Sequence, residues 1–548
     1  MKNKLMIKII RISCVSVILL GGIFSCSEDF LDQKPLSSVS DASVWKDIIL
    51  TEAYVNNIYS LLKAPWAFNS AMSVTSDEGY AYHNLANLVQ RGEITPSNSG
   101  YIGGYWLEDY TIITNCNIFL DRVAGENMAA LKAIDETRTN RMIGEVKALR
   151  AYAYFRLSAL HGGVPLITKP FGLTEDFKIE KNTYDDVLTF VVQELDEAAT
   201  LLSLTYTGDN LGRITKGAAM AIKSRALLYA ASPLHNPGND LSKWQQAADA
   251  AKAVIDLDLY SLEADYKTMF TVPGNFDKEA IWEIIHLDLI VKRAELERFV
   301  YPSGMLGFGI PNPSQNMVDS YETLNGLLPA DDPSYDPQNP YANRDPRFYA
   351  SILYDGAPFK GREIEVFLPG GKDGLQGTDG PNSTRTGYYI RKFIDENITS
   401  PNQTNVSSPN YAISRYAEIL LNYAEAKFQL GDENTARTYV NMVRSRPSVN
   451  MPAVTSSGAD LLERIKNERR VELFLEDHRF LDIRRWKMDV PPNSFITKMD
   501  VSKNVGTGIK TFTVANLNAF ALPEHQYVAP IPQGEIDKNP KLQQNPGY

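Results

Sequence analysis

Residues 145–166 read EVKALRAYAYFRLSALHGGVPL, and their pattern decides the fold class. With Met142 just upstream, Val146, Leu149, Ala153, Leu157 and Leu160 recur at steps of three and four, which puts them on one stripe of a helix. Ala148, Tyr152, Phe155 and Ala159 form a second stripe about a quarter turn away. Gly162-Gly163 can supply the left-handed turn that ends a helix, and Pro165 prevents its resumption. A helix that is apolar on two flanks must be covered on two flanks. This pattern predicts a middle layer of stacked helices and not a lone amphipathic helix on a sheet.

Working outward, the chain has 548 residues, with 55 Lys and Arg against 66 Asp and Glu, a net charge of −11. That length allows a large core and more than one lobe. An acidic body without a Lys/Arg-rich patch argues against a nucleic-acid ligand, which needs a basic footprint. Lys2, Lys4, Lys8 and Arg11 precede an apolar run, Ile12 to Phe24, that is too short to span a bilayer. Ser25-Cys26 follows, and the whole resembles a bacterial lipoprotein signal, in which cleavage precedes a cysteine that takes the lipid. Ser27-Glu28-Asp29 resembles a surface-export tag and also reads as a plain solvated linker. Of the three cysteines, Cys14 leaves with the signal and Cys26 is the expected lipid site. Cys116 alone remains, so no intramolecular disulfide is available.

Val44 to Leu62 has a helical face, capped by Asp41 or Ser43. Lys63 to Gly104 reads mostly as loop, and between Trp66 and Tyr110 it and the following helix hold eight aromatics. Aromatics in a loop have no apolar stripe to explain them. Helices are expected from Tyr105, from Asn182 or Thr183, over Lys216–Ala231 and over Ser242–Ile255, then a buried strand over Ala280–Leu287. Proline, glycine, asparagine and tyrosine dominate Arg298 to Asn410, where helical periodicity vanishes. A structureless run of that length is expected only as a functional lobe. Helices return over Tyr411–Leu430, Glu433–Ser445 and Ala459–Trp486, with a strand or two over Thr511–Ala521.

In Tyr411–Pro447, Ala424 lies where two helices would cross, Gly431-Asp432 makes the turn, and Ala436, Val440 and Val443 line the second helix. Ala226 with Ala247, Ala251 and Val254 repeats that logic, which matches the small-residue pattern of a tetratricopeptide repeat. The fold class expected is mainly α: tetratricopeptide-like helix pairs forming a scaffold, with a loop-rich lobe and a few short strands.

Six motifs then occur in order: RAYAYFRLSALHGGVPL (150–166), GRITKGAAMAIKSRALLYAASP (212–233), NRDPRF (343–348), RYAEILLNYAEA (415–426), NERRVELFLEDHRFLDIRRW (467–486), and IPQGEI with NPKLQQNPGY (531–536, 539–548). With the lipid cysteine and Phe30-Leu31-Asp32 ahead of them, they resemble the SusD/RagB family across nearly the whole mature chain. The resemblance implies an outer-membrane lipoprotein on the cell surface that binds nutrients, usually glycans, and in some relatives peptides. It also implies a SusC-like TonB-dependent transporter as partner; no cofactor and no metal-ligating residues are expected. The segments expected are a signal peptide 1–25, a tether 26–43, an N-terminal helical region 44–297 and a C-terminal region 298–548. The last divides into a loop-rich lobe 298–410, helical repeats 411–486 and an extended tail 487–548.

A sugar ring offers one face of C–H groups and a rim of hydroxyls, so its binder needs flat aromatics and a few polar groups. The family draws its platform from the two regions that here carry Trp66, Tyr80, Tyr82, His83, Asn84 and Tyr101, and then Tyr301 and Phe308. Those are the expected ligand contacts, chosen by residue type and place. Trp106 and Trp282 sit among apolar neighbours and read as core. The charged tract 467–486 reads as structural salt bridging, with Glu468, Glu472 and Arg470 at ordinary helix-pair spacing. No HExxH or GxSxG is present, and the six histidines are scattered. A surface glycosidase would need two facing carboxylates, of which Asp77 or Glu78 could be one. A scaffold that binds only protein is the third reading.

Overall fold

A computed structural model describes residues 41–62, 72–81, 84–172, 174–285, 299–377, 380–397 and 409–548. The long helices are α1 (Ile48–Ser60), α2 (Ile102–Arg122), α3 (Gly125–His161), α4 (Tyr184–Leu201), α5 (Lys216–Ala231), α6 (Leu241–Ile255), α7 (Tyr416–Gln429), α8 (Glu433–Arg444) and α9 (Gly458–Glu472), followed by the short α10 (Arg479–Arg485). The strands used below are β1 (Gly79–Tyr80), β2 (Ala280–Ile284), β3 (Asn312–Pro313), β4 (Tyr411–Arg415), β5 (Phe495–Lys503) and β6 (Lys510–Ala519).

The 145–166 stretch forms the second half of α3, as its two stripes predict. Asp135, at φ −156° and ψ 99°, breaks α3, and its carboxylate caps the segment that follows through the Arg138 N–H. From Arg141 to His161 every side chain is buried except Lys147 and Arg156. Both of those are paired, Lys147 with Glu194 and Glu197, Arg156 with Asp109. Gly162 ends the helix at φ 71°, and at Gly163 a Cβ would lie 2.3 Å from the Asn182 carbonyl. The glycines therefore let the chain turn and pass close beneath the start of α4.

Each helix packs on the next: α2 on α3, α3 on α4, α4 on α5, α5 on α6, α6 on α7, and α7 on α8 and α9. This is the stack that paired helices with small contact residues produce. Ala226, Ala247, Ala251 and Val254 are buried in one core, and Ala424, Ala436, Val440 and Val443 in another. Gly431 makes the α7–α8 turn at φ 82°. Among the described residues, no helix is long and apolar enough to cross a membrane.

Several boundaries differ from expectation for local reasons. Asp47, not Asp41 or Ser43, caps α1, accepting from the N–H groups of Ile49 and Leu50. Helix 459–486 is two helices, because Leu475 and Asp477 take φ 61° and break it. A long hairpin pairs β5 with β6, whereas a strand or two was expected over Thr511–Ala521 alone. The lobe after residue 298 is not structureless. It has a core of its own, with Tyr321, Phe348, Ile352, Tyr388, Tyr389 and Phe474. In its NRDPRF motif, buried Arg344 donates to the carbonyls of Pro340, Val318 and Tyr321 at 2.8, 2.6 and 2.7 Å. Asp345 caps the Pro346–Ser351 turn of helix, and Arg347 projects from that turn.

Arg347 leads into a web of buried charge. Glu472 accepts from Arg415 and Arg446 at 2.8 Å each and from Arg347 at 2.9 Å. Glu468 accepts from Arg347 at 2.5 Å and Arg444 at 2.8 Å. Glu279, just before β2, takes Arg415 and Arg446 at 2.6 Å each. Glu476 takes Arg415 at 2.7 Å and Lys392 at 2.8 Å. None of these side chains is more than 3% exposed. The tract is structural, as expected, but Glu468 and Glu472 do not pair within their own helix; their partners come from the lobe, β4 and α8. Burial opposes the charged form of Glu472, yet the guanidiniums of Arg446, Arg415 and Arg347 hold its carboxyl well below the usual range.

Removing one partner from such a pair leaves uncompensated buried charge, at a cost of about 3–5 kcal/mol. Glu472→Ala should therefore lower unfolding free energy by more than about 3 kcal/mol in urea, if the protein folds at all. Lys466→Ala, which removes an exposed pair with Glu463, should stay within about 0.5 kcal/mol of wild type.

Candidate functional site

The two stretches expected to form a platform are joined to each other. Tyr80 of β1 pairs with Asn312 of β3, and Gly79 with Pro313. The Ser314 N–H donates to the Glu78 carbonyl at 2.9 Å, and its hydroxyl to the Asp77 carbonyl at 2.6 Å. From the other side, the buried Gln90 amide donates to the carbonyls of Val74, Ser76 and Gly79 at 3.0, 2.9 and 2.7 Å. Asn518 of β6 holds that amide's oxygen at 3.0 Å. One side chain from the 84–90 helix thus fixes a stretch of backbone whose strand is just two residues long.

Tyr80 is half-buried, accepts from Asn87 at 3.3 Å, and packs beside Ile483, Ile496, Phe520, Leu522 and Tyr527. Tyr101 is half-buried and, with Ile310, covers Val74, Ala81 and Ala86. Phe308 is half-buried, edge-on to Phe299 at 4.9 Å. Each of these three is only partly covered. Tyr301 differs: it is 1% exposed, its ring packs on Phe359, and its hydroxyl accepts from Lys360 at 2.8 Å. Its place as a ligand contact is corrected to a place in the lobe core, because its ring is buried among the lobe's apolar side chains. Trp66, Tyr82, His83 and Cys26 lie outside the described residues, and of Asn84 only the backbone, at the first position of its helix, is described. Trp106 and Trp282 are core, at 5% and 3% exposed.

Asp77 and Glu78, the candidate acid half of a glycosidase, are turned inward. Asp77 is held bidentately by Arg479 at 2.8 Å and by Arg470 at 3.0 Å. Burial opposes its charge, but the two guanidiniums hold its carboxyl far below the usual range. Glu78 is 1% exposed, and burial pushes it up to about 8. A raised carboxyl suits a general acid, but neither group faces a surface that a glycan could reach.

Sequence reasoning missed a cleft of about 430 Å³ lined by Tyr59, Leu211, Arg213, Trp282, Glu283 and Ile285. A smaller hollow of about 150 Å³, with Tyr206, Tyr260 and Phe276, adjoins it. Neighbouring residues of a strand normally point to opposite faces. Here Trp282 and Glu283 both reach the cleft, where the β2–β4 register shifts. No sequence signal marks such an irregularity. Burial pushes Glu283 up to about 7.

Comparison with known proteins finds two family models along the chain. One, the SusD family, matches residues 278–548, and the other, described as starch-binding and associating with the outer membrane, matches 29–228. A SusD-like protein of Formosa agariphila is 24% identical, covering 96% of this chain and 97% of its own. A solved SusD-like protein from Bacteroides fragilis superposes with a TM-score of 0.79 at 27% identity, over 94% of this chain and all of that one. A second B. fragilis structure, a SusD-like carbohydrate-binding protein, gives 0.76 at 26% identity over 91% of this chain and all of its own. The helical stack, the looped lobe joined to it and the two successive matches lead to one conclusion: the chain belongs to the SusD/RagB family.

Proposed function

We propose that the protein is a cell-surface lipoprotein that binds oligosaccharide without turning it over and passes it to a SusC-like TonB-dependent transporter in the outer membrane. The observation that carries this reading is the β1–β3 junction, which ties the stretch of Tyr80 and Tyr101 to the stretch of Phe308, each of these rings being only partly covered. Rings held by packing lose little side-chain entropy when they stack on a sugar. Names among the relatives agree, since a structural neighbour is a carbohydrate-binding protein and a curated relative from Bacteroides thetaiotaomicron is a starch-binding protein. The inward turn of Asp77 and Glu78 supports capture over hydrolysis. Cys26 is the proposed lipid site.

A few stacked rings offset little of the entropy of association, so the affinity expected is weak, roughly micromolar to millimolar. After a glycan array supplies a hit, calorimetry should show Tyr80→Ala and Phe308→Ala each weakening binding about tenfold or more, at unchanged fold by circular dichroism. Tyr301→Phe should bind as wild type does. Unchanged affinity in both alanine variants would overturn the platform, and release of shorter products on incubation would overturn pure capture. Peptide hits with no glycan hit would move the protein to the peptide-binding branch of the family.

Radiolabelled palmitate should enter the wild-type protein, which should fractionate with the outer membrane, whereas Cys26→Ala should lose both label and membrane. Retention of the label in Cys26→Ala would remove the proposed anchor.

A further inference from the structure

The segment that presents Tyr80 contains a buried acid whose carboxyl is poorly satisfied. Neither carboxyl oxygen of Glu78 meets a hydrogen-bond partner, although the side chain is almost wholly out of water. The Ser73 hydroxyl lies between the two acids, acting on Glu78 and donating to Asp477 at 3.4 Å. The Glu78 backbone is fixed by the Ser314 N–H, so the residue does not behave as a loose loop side chain. Beside it, Arg470 reaches Asp77 through one terminal nitrogen, while its own buried Nε also lacks a partner. An unbonded carboxyl and an unbonded guanidinium N–H therefore flank one clasp. Buried polar groups left in this state call for an explanation.

The charges around the clasp are countable. Arg470 from α9 and Arg479 from α10 both pair with the carboxylate of Asp77 while Glu78 is neutral. From the lobe, Asp319 acts on Arg470, and from α10, Asp482 acts on Arg479. From the loop between α9 and α10, Asp477 faces the segment through Ser73, accepting from its N–H at 3.2 Å and its hydroxyl at 3.4 Å.

We propose that Glu78 is a proton-operated latch: neutral, it leaves Asp77 in full possession of Arg470 and Arg479, and on ionising it competes for Arg470 and loosens the segment 72–80. Burial raises Glu78 to about 8 in the closed state. Once the segment opens, water restores an ordinary carboxyl, near 4.5. A group raised in the closed state favours closure fully below its ordinary value, and that favour fades as pH rises toward about 8. Any effect on ligand rests on the reading of Tyr80 as a contact; the latch itself does not.

Hydrogen exchange on the unliganded full chain tests it, with protection of residues 72–80 corrected for intrinsic rates between pH 5 and 9. Wild type should lose about tenfold protection per pH unit up to about 8 and then level off. Glu78→Gln should show no such slope, and Glu78→Met supplies a second neutral side chain should Gln fail to fold. Asp477→Asn should keep the slope, since burial raises Asp477 as well, to about 7, and it must be separated. A flat wild-type profile, an unchanged slope in the Glu78 variants, or loss of the slope in Asp477→Asn alone would each overturn the proposal. With a glycan hit in hand, affinity that falls at alkaline pH in wild type but not in Glu78→Gln extends the latch to the ligand. Exchange that follows the latch while affinity ignores pH would sink only the role of Tyr80.

Discussion

One carboxylate, that of Glu472, accepts hydrogen bonds from three arginines that come from three parts of the chain. Taking such charges out of water is costly, and their attraction repays the cost only when the geometry is good and further hydrogen bonds support the ions. Satisfaction here needs the NRDPRF turn of the lobe, the end of β4 and the end of α8 to arrive at α9 together. An apolar contact tolerates partial assembly, whereas a half-built web of buried ions does not. We infer that this web fixes how the looped lobe sits against the helical stack, a matter of specificity more than of added stability.

The same tract carries that constraint to the surface. One residue beyond Arg469, which binds Asp482 within the core, Arg470 turns to Asp77, and Arg479 at the start of α10 meets the same carboxylate. The 72–80 segment has only a two-residue strand of its own, yet it is tied on each side, to α9 and α10 by Asp77, to the lobe by Ser314 and to the 84–90 helix by Gln90. Tyr80 is thus placed by the core chemistry beneath it. The position of an aromatic on a loop is here a consequence of buried charge several residues away.

Much of this is legible in the sequence alone. The two apolar stripes of 145–160 require cover on two flanks, and α2 and α4 supply it. Ala424 facing Ala436 and Val440 reveals a helix pair, because close approach needs small side chains at fixed spacing. What periodicity does not show lies where partners are distant in sequence. Glu468 and Glu472 look like an exposed helix face, since spacing within a helix says nothing about Arg347, some 120 residues earlier. Tyr301 looks like a displayed ring because loops rich in glycine and proline resemble surface; a second core beneath them is not visible in composition. The β2 irregularity that turns Trp282 and Glu283 to one cleft leaves no mark at all.

Hydrogen exchange of an Arg347→Met protein tests the web most directly, because Arg347 is the lobe's own link to α9. Amides of the lobe strands at 352–353 and 389–390 and amides of α9 should lose protection together, by similar factors. Loss confined to the turn at 346–351, with α9 as well protected as in wild type, would contradict the account.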